Sequence, residues 1–215
     1  VANNAGNTPL HRAAANGKCD VVKYLVEEKG ADAKAANNAG DTPLHWAAEY
    51  GEWDVVEYLV EEKGADAKAA NNAEKGADAE VVNNAGDTPL HWAAKYRKLD
   101  VVKYLVEEKS ADAKASNNGG DTPLHWAAEY GEWEVVKYLV EKGADIKAVN
   151  NAGDTPLHWA AKNGYWDVVK YLVEEKSADA EAINNTGDTP LHWAAENGKW
   201  DVVKYLVEKG ANIKA

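Results

Sequence analysis

The 215-residue chain contains no methionine, no phenylalanine and a single cysteine, Cys19. One thiol excludes a disulfide within the chain, which suits a reducing compartment and an intracellular, cytoplasmic location. No apolar run approaches the roughly 18 residues needed to span a bilayer, and no segment reads as a signal peptide. Basic residues are scarce, with 24 Lys and Arg against 36 Asp and Glu and a net charge of −12. An acidic surface repels phosphate, so neither nucleic acid nor an anionic membrane is an expected partner. The lack of methionine in a chain that starts at Val1 leads us to expect that the natural N-terminus has been removed. Every glycine-rich stretch recurs as a turn, and none has the form of a phosphate-binding loop.

What is present is repetition. The tetrapeptide Thr-Pro-Leu-His begins at Thr8, Thr42, Thr88, Thr122, Thr155 and Thr189, in steps of 34, 46, 34, 33 and 34 residues. A period of 33 to 34 indicates stacked helical units, none able to bury its apolar face alone. Residues 37–70 illustrate one unit. Asn37-Asn38-Ala39-Gly40 reads as a turn, because Asn tolerates and Gly favours left-handed backbone. Thr42 is placed as a helix N-cap and Pro43 as the first helical residue, with Asp41 beside the positive end of the helix dipole. In the short helix beginning there, Leu44, Ala47 and Ala48 form an apolar stripe, and Gly51 ends it. A second helix is expected from about Trp53 to Lys63, with Val55, Val56, Leu59 and Val60 buried, Glu57, Glu61 and Glu62 in solvent, and Gly64 ending it.

The tetrapeptide, its period and the order turn, short helix, long helix, loop resemble the ankyrin-repeat family over the whole chain. The resemblance implies an all-α solenoid of paired antiparallel helices with β-turn fingers at the junctions. It also implies a non-catalytic binding array whose short helices and fingers line a concave, partner-gripping surface. On this reading residues 1–215 form one array, with repeats at about 3–36, 37–70, 83–116, 117–149, 150–183 and 184–215.

Three irregularities interrupt it. Residues 62–73 (EKGADAKAANNA) and 74–85 (EKGADAEVVNNA) are identical at nine of twelve positions, which reads as a tandem duplication that lengthens a finger over 71–82 without adding a helix. A surface loop tolerates such lengthening. The repeats also differ at the end of the second helix. Repeats four and six have Glu-Lys-Gly, with Ile146 and Ile213 in the loop after it. The others have Glu-Glu-Lys-Gly or Glu-Glu-Lys-Ser, with Ala33, Ala67, Ala113 and Ala180 there. The extra residue is expected to rotate the exit of the chain, and Ser110 and Ser177, in place of the terminating glycine, to mark an altered cap. In repeat three Arg97 stands where glycine ends the first helix elsewhere, at an expected cost of about 1 kcal/mol if the position is left-handed. With Lys95 and Lys98 it forms a basic cluster in an acidic surface, open to two readings: a specificity patch, or drift in a repetitive gene.

Candidate chemistry is sparse. All six histidines, His11, His45, His91, His125, His158 and His192, belong to the motif. One per repeat, about 10 Å apart at helix packing distances, they read as structural hydrogen-bonding residues and not as metal ligands. Cys19 takes the place of Trp53, Trp133, Trp166 and Trp200 and reads as a packed residue without a histidine partner. Asn184-Asn185-Thr186 fits a glycosylation sequon, a triplet common by chance. No carboxylate cluster is peculiar to one repeat, so neither a catalytic residue nor a cofactor or metal is expected.

The aromatic residues carry the functional expectation. Trp46, Trp92, Trp126, Trp159 and Trp193 come directly after the motif histidine, with Arg12 in the first repeat. Glu49 and Tyr50 share the stripe of Trp46; Lys95, Tyr96 and Arg97 accompany Trp92, and Glu129 and Tyr130 accompany Trp126. By resemblance these side chains face the partner, and aromatic residues of this kind bury large areas at small entropic cost. Packing between helices is the competing reading. A protein or peptide with a cationic and apolar segment would suit them, centred on repeats two to four. The last repeat keeps the interior pattern Val202, Val203, Leu206 and Val207 without a polar cap, so end-to-end self-association is expected. An engineered or fragmentary array acting only as a scaffold stays open as the alternative.

Overall fold

The computed structural model describes residues 2–61 and 81–213. The end of the second helix of repeat two and the duplicated segment 71–82 lie outside these, except Val81 and Val82, which are buried. The chain divides into two compact units, residues 1–118 and 119–215. The described residues of both are helical, with no strand.

The first unit contains α1 (Pro9–Ala15), α2 (Cys19–Lys23), α3 (Pro43–Tyr50), α4 (Trp53–Glu61), α5 (Pro89–Lys95) and α6 (Leu99–Lys103). The second contains α7 (Pro123–Tyr130), α8 (Trp133–Glu141), α9 (Pro156–Asn163), α10 (Trp166–Lys170), α11 (Pro190–Glu196) and α12 (Trp200–Glu208). The helices pair as the apolar pattern requires. α1 packs on α3 and α3 on α5; in the second unit α7 packs on α9 and α9 on α11. The small side chains allow it: Ala47, Ala48, Ala127, Ala128, Ala160 and Ala161 are fully buried, as are Leu44 and Leu124. Behind them lie Val55, Val56 and Leu59 and their counterparts, the continuous apolar layer of each unit. Tyr58, Tyr104, Tyr138, Tyr171 and Tyr205 also belong to this layer.

In three of the four long repeats the extra residue has a definite fate; in repeat two α4 is α-helical through Glu61, and the residues after it lie outside those described. α2, α6 and α10 each continue into one π-helical turn, over Tyr24–Glu28, Tyr104–Glu108 and Tyr171–Glu175. α8 and α12, in the short repeats, stay α-helical to the end. The widened turn absorbs the added glutamate. Ala111 N–H then reaches the carbonyl of Leu105, six residues back, at 2.7 Å, while Ala144 N–H reaches that of Leu139, five residues back, at 2.9 Å. Both alanines are buried. The exit of the chain is therefore not rotated, contrary to expectation, because a π turn is the local device that takes up one residue within the helix itself. Nothing in the structure explains why the loop of the long forms carries alanine and that of the short ones isoleucine.

The caps are not altered either. Ser110 and Ser177 have φ of 54° and 58°, and Gly30 at the same position has 65°. Serine simply occupies the left-handed cap that glycine occupies elsewhere. Arg97, at φ 59°, does the same at the end of α5, and the strain anticipated for it is present.

Candidate functional site

Four of the motif histidines, His11, His45, His125 and His158, are joints between repeats. The Nδ1 of His45 receives the Thr42 backbone N–H at 3.2 Å and the Thr42 hydroxyl at 2.9 Å. An acceptor at Nδ1 fixes the proton on Nε2, which donates to the backbone carbonyl of Asp87 in the next repeat at 2.9 Å. His11 meets the Asp41 carbonyl at 2.9 Å, and His125 and His158 meet those of Asp154 and Asp188 at 3.0 Å. Histidine at the third helical position thus plays the part of the glutamate in a capping box while its far nitrogen reaches the neighbour. Burial holds the imidazoles of His11, His45, His125 and His158 below their ordinary pKa, against the opposing pull of the Asp carbonyls. With both ring nitrogens engaged, these four histidines offer no lone pair to a metal.

The fingers form a second set of joints. The first Asn of each finger accepts its own turn: Asn83 Oδ1 receives the N–H groups of Ala85 and Asp87, both at 2.9 Å. Its Nδ2 then donates to the carboxylate of the previous repeat. Asn83 reaches Asp41 at 3.0 Å and Asn117 reaches Asp87 at 2.7 Å; in the second unit Asn150 reaches Asp121 and Asn184 reaches Asp154, both at 2.8 Å. In the first repeat Asn7 replaces Asp, and Asn37 bonds its side-chain oxygen instead. The second Asn binds the preceding finger through its backbone, as Asn84 N–H does with the Ala39 carbonyl at 2.8 Å. This close approach is why Gly40 is a glycine. A Cβ there would lie 2.5 Å from the Asn84 nitrogen, on a backbone with φ 83°. Asn184, the sequon residue, is buried in this ladder, so its amide serves the fold.

Among the aromatic residues, Trp46, Trp92, Trp126, Trp159 and Trp193 are all half-buried, while Tyr50, Tyr96 and Tyr130 are exposed. Each buried portion has a purpose where ring contacts are resolved. Trp46 sets its ring edgewise to His11 at 6.2 Å, and Trp193 to His158 at 5.5 Å. The indole of one repeat therefore closes over the histidine joint of the repeat before. Trp159 and Trp193 also meet each other at 5.3 Å. The other faces are partly taken by cations of the chain itself. Arg12 stands over Trp46, Lys95 over both Trp92 and Tyr96, and Lys162 over both Trp159 and Trp193, at 4.6 and 5.0 Å. Half-burial pushes the Glu49 carboxyl above its usual range, opposed by a hydrogen bond from Tyr96 and by Lys95. Packing and exposure thus coexist on this face.

The basic cluster of repeat three separates into different duties. Lys95 caps Trp92, and the aliphatic part of Lys98 covers Gly51, where a Cβ would come within 2.6 Å of it. Arg97 is exposed. Cys19 is half-exposed, its Sγ 3.6 Å from the Asp54 carbonyl, and burial pushes its thiol pKa up, away from thiolate.

A surface not anticipated from the sequence lies along the second helices. Trp53 meets Tyr104 edgewise at 4.7 Å, Trp133 meets Tyr171 at 4.9 Å and Trp166 meets Tyr205 at 6.1 Å. Beside them Tyr58 donates to Glu27 at 3.0 Å and Tyr104 to Glu61 at 3.3 Å. The recurrence of Trp-Asp/Glu-Val-Val-x-Tyr at the start of four of the six second helices was the signal for it.

A family model described as ankyrin repeats in three copies matches residues 1–71, 68–150 and 143–215, which together cover the chain. The chain belongs to the ankyrin-repeat family. No curated protein matches it. Ankyrin repeats are generally protein–protein interaction modules and generally non-catalytic. Among the described residues, no helix is long and apolar enough to cross a membrane.

Proposed function

We propose that this ankyrin-repeat chain is an intracellular, non-catalytic module that binds a protein or peptide through the face made by its first helices and fingers, as one array over residues 1–215. The observation that supports this is the split character of the first helices. In α3, α5 and α7 the leucines, alanines and histidines are buried, yet each keeps a half-exposed tryptophan and, on it or at its end, an exposed tyrosine. Aromatic anchors of this kind dominate binding energy at interfaces. The partner that fits is a segment with apolar and cationic side chains. Its apolar groups would meet the tyrosines Tyr50, Tyr96 and Tyr130, and its cations the carboxylates Glu49 and Glu129. Lys95 and Lys162 already lie over indole faces, so aromatic surface at repeats three and five becomes available to a foreign cation only as these lysines move aside.

Panning a random-peptide library against the chain tests the reading. Enriched sequences should pair Lys or Arg with apolar residues. Trp46→Ala, Trp92→Ala and Trp126→Ala should each weaken their binding about 30-fold, the factor that a 2 kcal/mol anchor carries, and Trp193→Ala much less. A library that yields nothing, or peptides indifferent to the triple tryptophan change, leaves the scaffold without a dedicated ligand as the better description.

A second reading is self-association end to end. It is favoured by the last repeat, where His192 and Ala195 are exposed although every other motif histidine is buried.

A further inference from the structure

We infer that the cleft between α4 and α6 takes an arginine or lysine side chain from a basic segment of a partner protein, seated on the Trp53 indole beside Glu57. The signal begins in the sequence. One helical turn into the second helix, five repeats carry lysine, as Lys23, Lys103, Lys137, Lys170 and Lys204, and repeat two carries Glu57. Residues four apart lie on the same side of a helix. In repeats five and six the lysine accordingly folds back over the tryptophan that opens the helix. Lys170 Nζ is 5.0 Å from the Trp166 ring and Lys204 Nζ is 5.4 Å from that of Trp200. Repeat two keeps the tryptophan and reverses the charge.

In other respects the surroundings of Trp53 match those of Trp166. The two indoles meet the tyrosine of the next repeat at 69° and 68°. Each borders a cleft whose far wall carries Asp, Lys, Tyr and Glu at equivalent places, Asp100 to Glu107 in one and Asp201 to Glu208 in the other. The cleft at Trp53 has a volume of about 430 Å³ and gains a further carboxylate, Glu108. Trp53 is 38% exposed, and among the described residues its ring meets Tyr104 and no cation. A place that holds the chain's own cation against an indole in repeat five is thus vacated in repeat two by a lysine-to-glutamate exchange.

Charge selects the occupant. The face of an indole attracts a cation through its quadrupole. Around Trp53 the carboxylates of Glu57, Asp100, Glu107 and Glu108 outnumber the single ammonium of Lys103. An anion is repelled there, and a wholly apolar side chain leaves the carboxylates unused. Arginine or lysine brings a cation for ring and carboxylates together, on an aliphatic stem that packs along the indole edge. The chain makes this combination itself nearby, where Lys109 lies over the Tyr104 ring at 5.2 Å and pairs with Glu61 at 2.8 Å. The site belongs to the second helices, and it stands or falls independently of the first-helix face.

Titration of the isotopically labelled chain with the peptide acetyl-Gly-Arg-Gly amide, its lysine counterpart and its uncharged citrulline counterpart tests the site. The readout is the set of indole N–H resonances, each identified through its Trp→Phe variant. We expect the Trp53 resonance to shift with the arginine or the lysine peptide and not with the citrulline one. Glu57→Lys restores the residue of the other five repeats at an exposed position. It should weaken that response at least about tenfold, the scale of one cation–ring contact with its ion pair. Melting curves check that the variant folds, and Glu57→Gln, with a loss in the same direction, replaces it if it does not. A Trp53 resonance that ignores both cationic peptides, follows the citrulline peptide as strongly, or responds undiminished in the Glu57 variant overturns the site. Shifts confined to Trp46, Trp92 and Trp126 overturn it too, and leave the first-helix reading standing.

Discussion

His125 and Asp154 are joined by a 3.0 Å hydrogen bond from an imidazole Nε2–H to a main-chain carbonyl, across 29 residues of sequence and from one repeat to the next. That bond makes the histidine a structural element whose protonation works against the fold. The pKa of the folded imidazole is depressed by burial, so in the window between the folded value and the ordinary 6.5 only the unfolded chain takes up the proton. Stability is therefore complete above about pH 6.5 and is lost as pH falls below it and through the folded value. Melting temperatures measured from pH 7.5 downward should fall, and the fall should be smaller in His125→Gln. His125→Ala should cost about 1–3 kcal/mol, since it leaves the Asp154 carbonyl and Thr122 without their partner. An unchanged melting curve in His125→Ala would remove the joint from the account of stability.

Ser177 and Gly30 hold the same cap in the same left-handed conformation, at φ 58° and 65°. A Cβ at Gly30 would meet nothing within 4 Å, so exchange between the two residues probes the backbone alone. Ser177→Gly should stabilise by about 1 kcal/mol and Gly30→Ser should destabilise by a similar amount. Arg97→Gly should behave like Ser177→Gly. Denaturant midpoints at constant slope report these differences, and a loss of stability in Ser177→Gly would contradict them.

Glu175 is the residue that makes repeat five long. Its deletion leaves Tyr-Leu-Val-Glu-Lys, the sequence found in the α12 repeat. We expect the π turn to become α-helical, with Ala178 still bonded to Leu172, and stability to change by no more than about 1 kcal/mol, because the turn already isolates the added residue. Amide exchange at Ala178 should stay slow. Fast exchange there, or a broken cooperative transition, would show that the π turn has a role beyond accommodating length.

Asn184 combines acceptor and donor roles in one amide, with Oδ1 bound to the N–H groups of Thr186 and Asp188 and Nδ2 to Asp154. Asn184→Asp preserves the first and places a carboxylate against a carboxylate in the second. It should destabilise by about 1–3 kcal/mol, more than Asn185→Asp at the exposed neighbouring position. Equal effects of the two substitutions in thermal melts would place the ladder's stabilisation elsewhere.

Much of this architecture was legible in residue order, because the signals repeat. The period set by Thr-Pro-Leu-His placed twelve helices, and the stripe of Leu44, Ala47 and Ala48 identified the packed side of the short ones. The structural role of the histidines was also readable, since a residue that recurs at one helical position in every repeat has to serve the repeat. Length variation at the second helix was less so. Counting residues shows that one is added, but only the hydrogen bonds from Ala111 and Ala144 show where it goes. Burial of Tyr58 and its equivalents escaped notice for a related reason. A tyrosine between apolar residues could face either way, and the carboxylate that receives its hydroxyl, Glu27, belongs to another repeat, 31 residues away in sequence. The tryptophans were identified as a ladder, whereas the lysines above them stand out only in three dimensions.

The substitution of Asn7 for the aspartate of later fingers gives the first joint a different strength from the rest. Asn37 meets a neutral oxygen there, while Asn117, Asn150 and Asn184 meet carboxylates, and bonds to a charged acceptor are the stronger class. Because neighbouring repeats hold one another in place, unequal joints set an order of loss. We expect fraying to start at the first repeat and to meet firmer resistance at each charged rung. A chain heated just short of melting would then lose Asn3–Lys29 while the later helices persist, and a single change, Asn7→Asp, would even out that gradient.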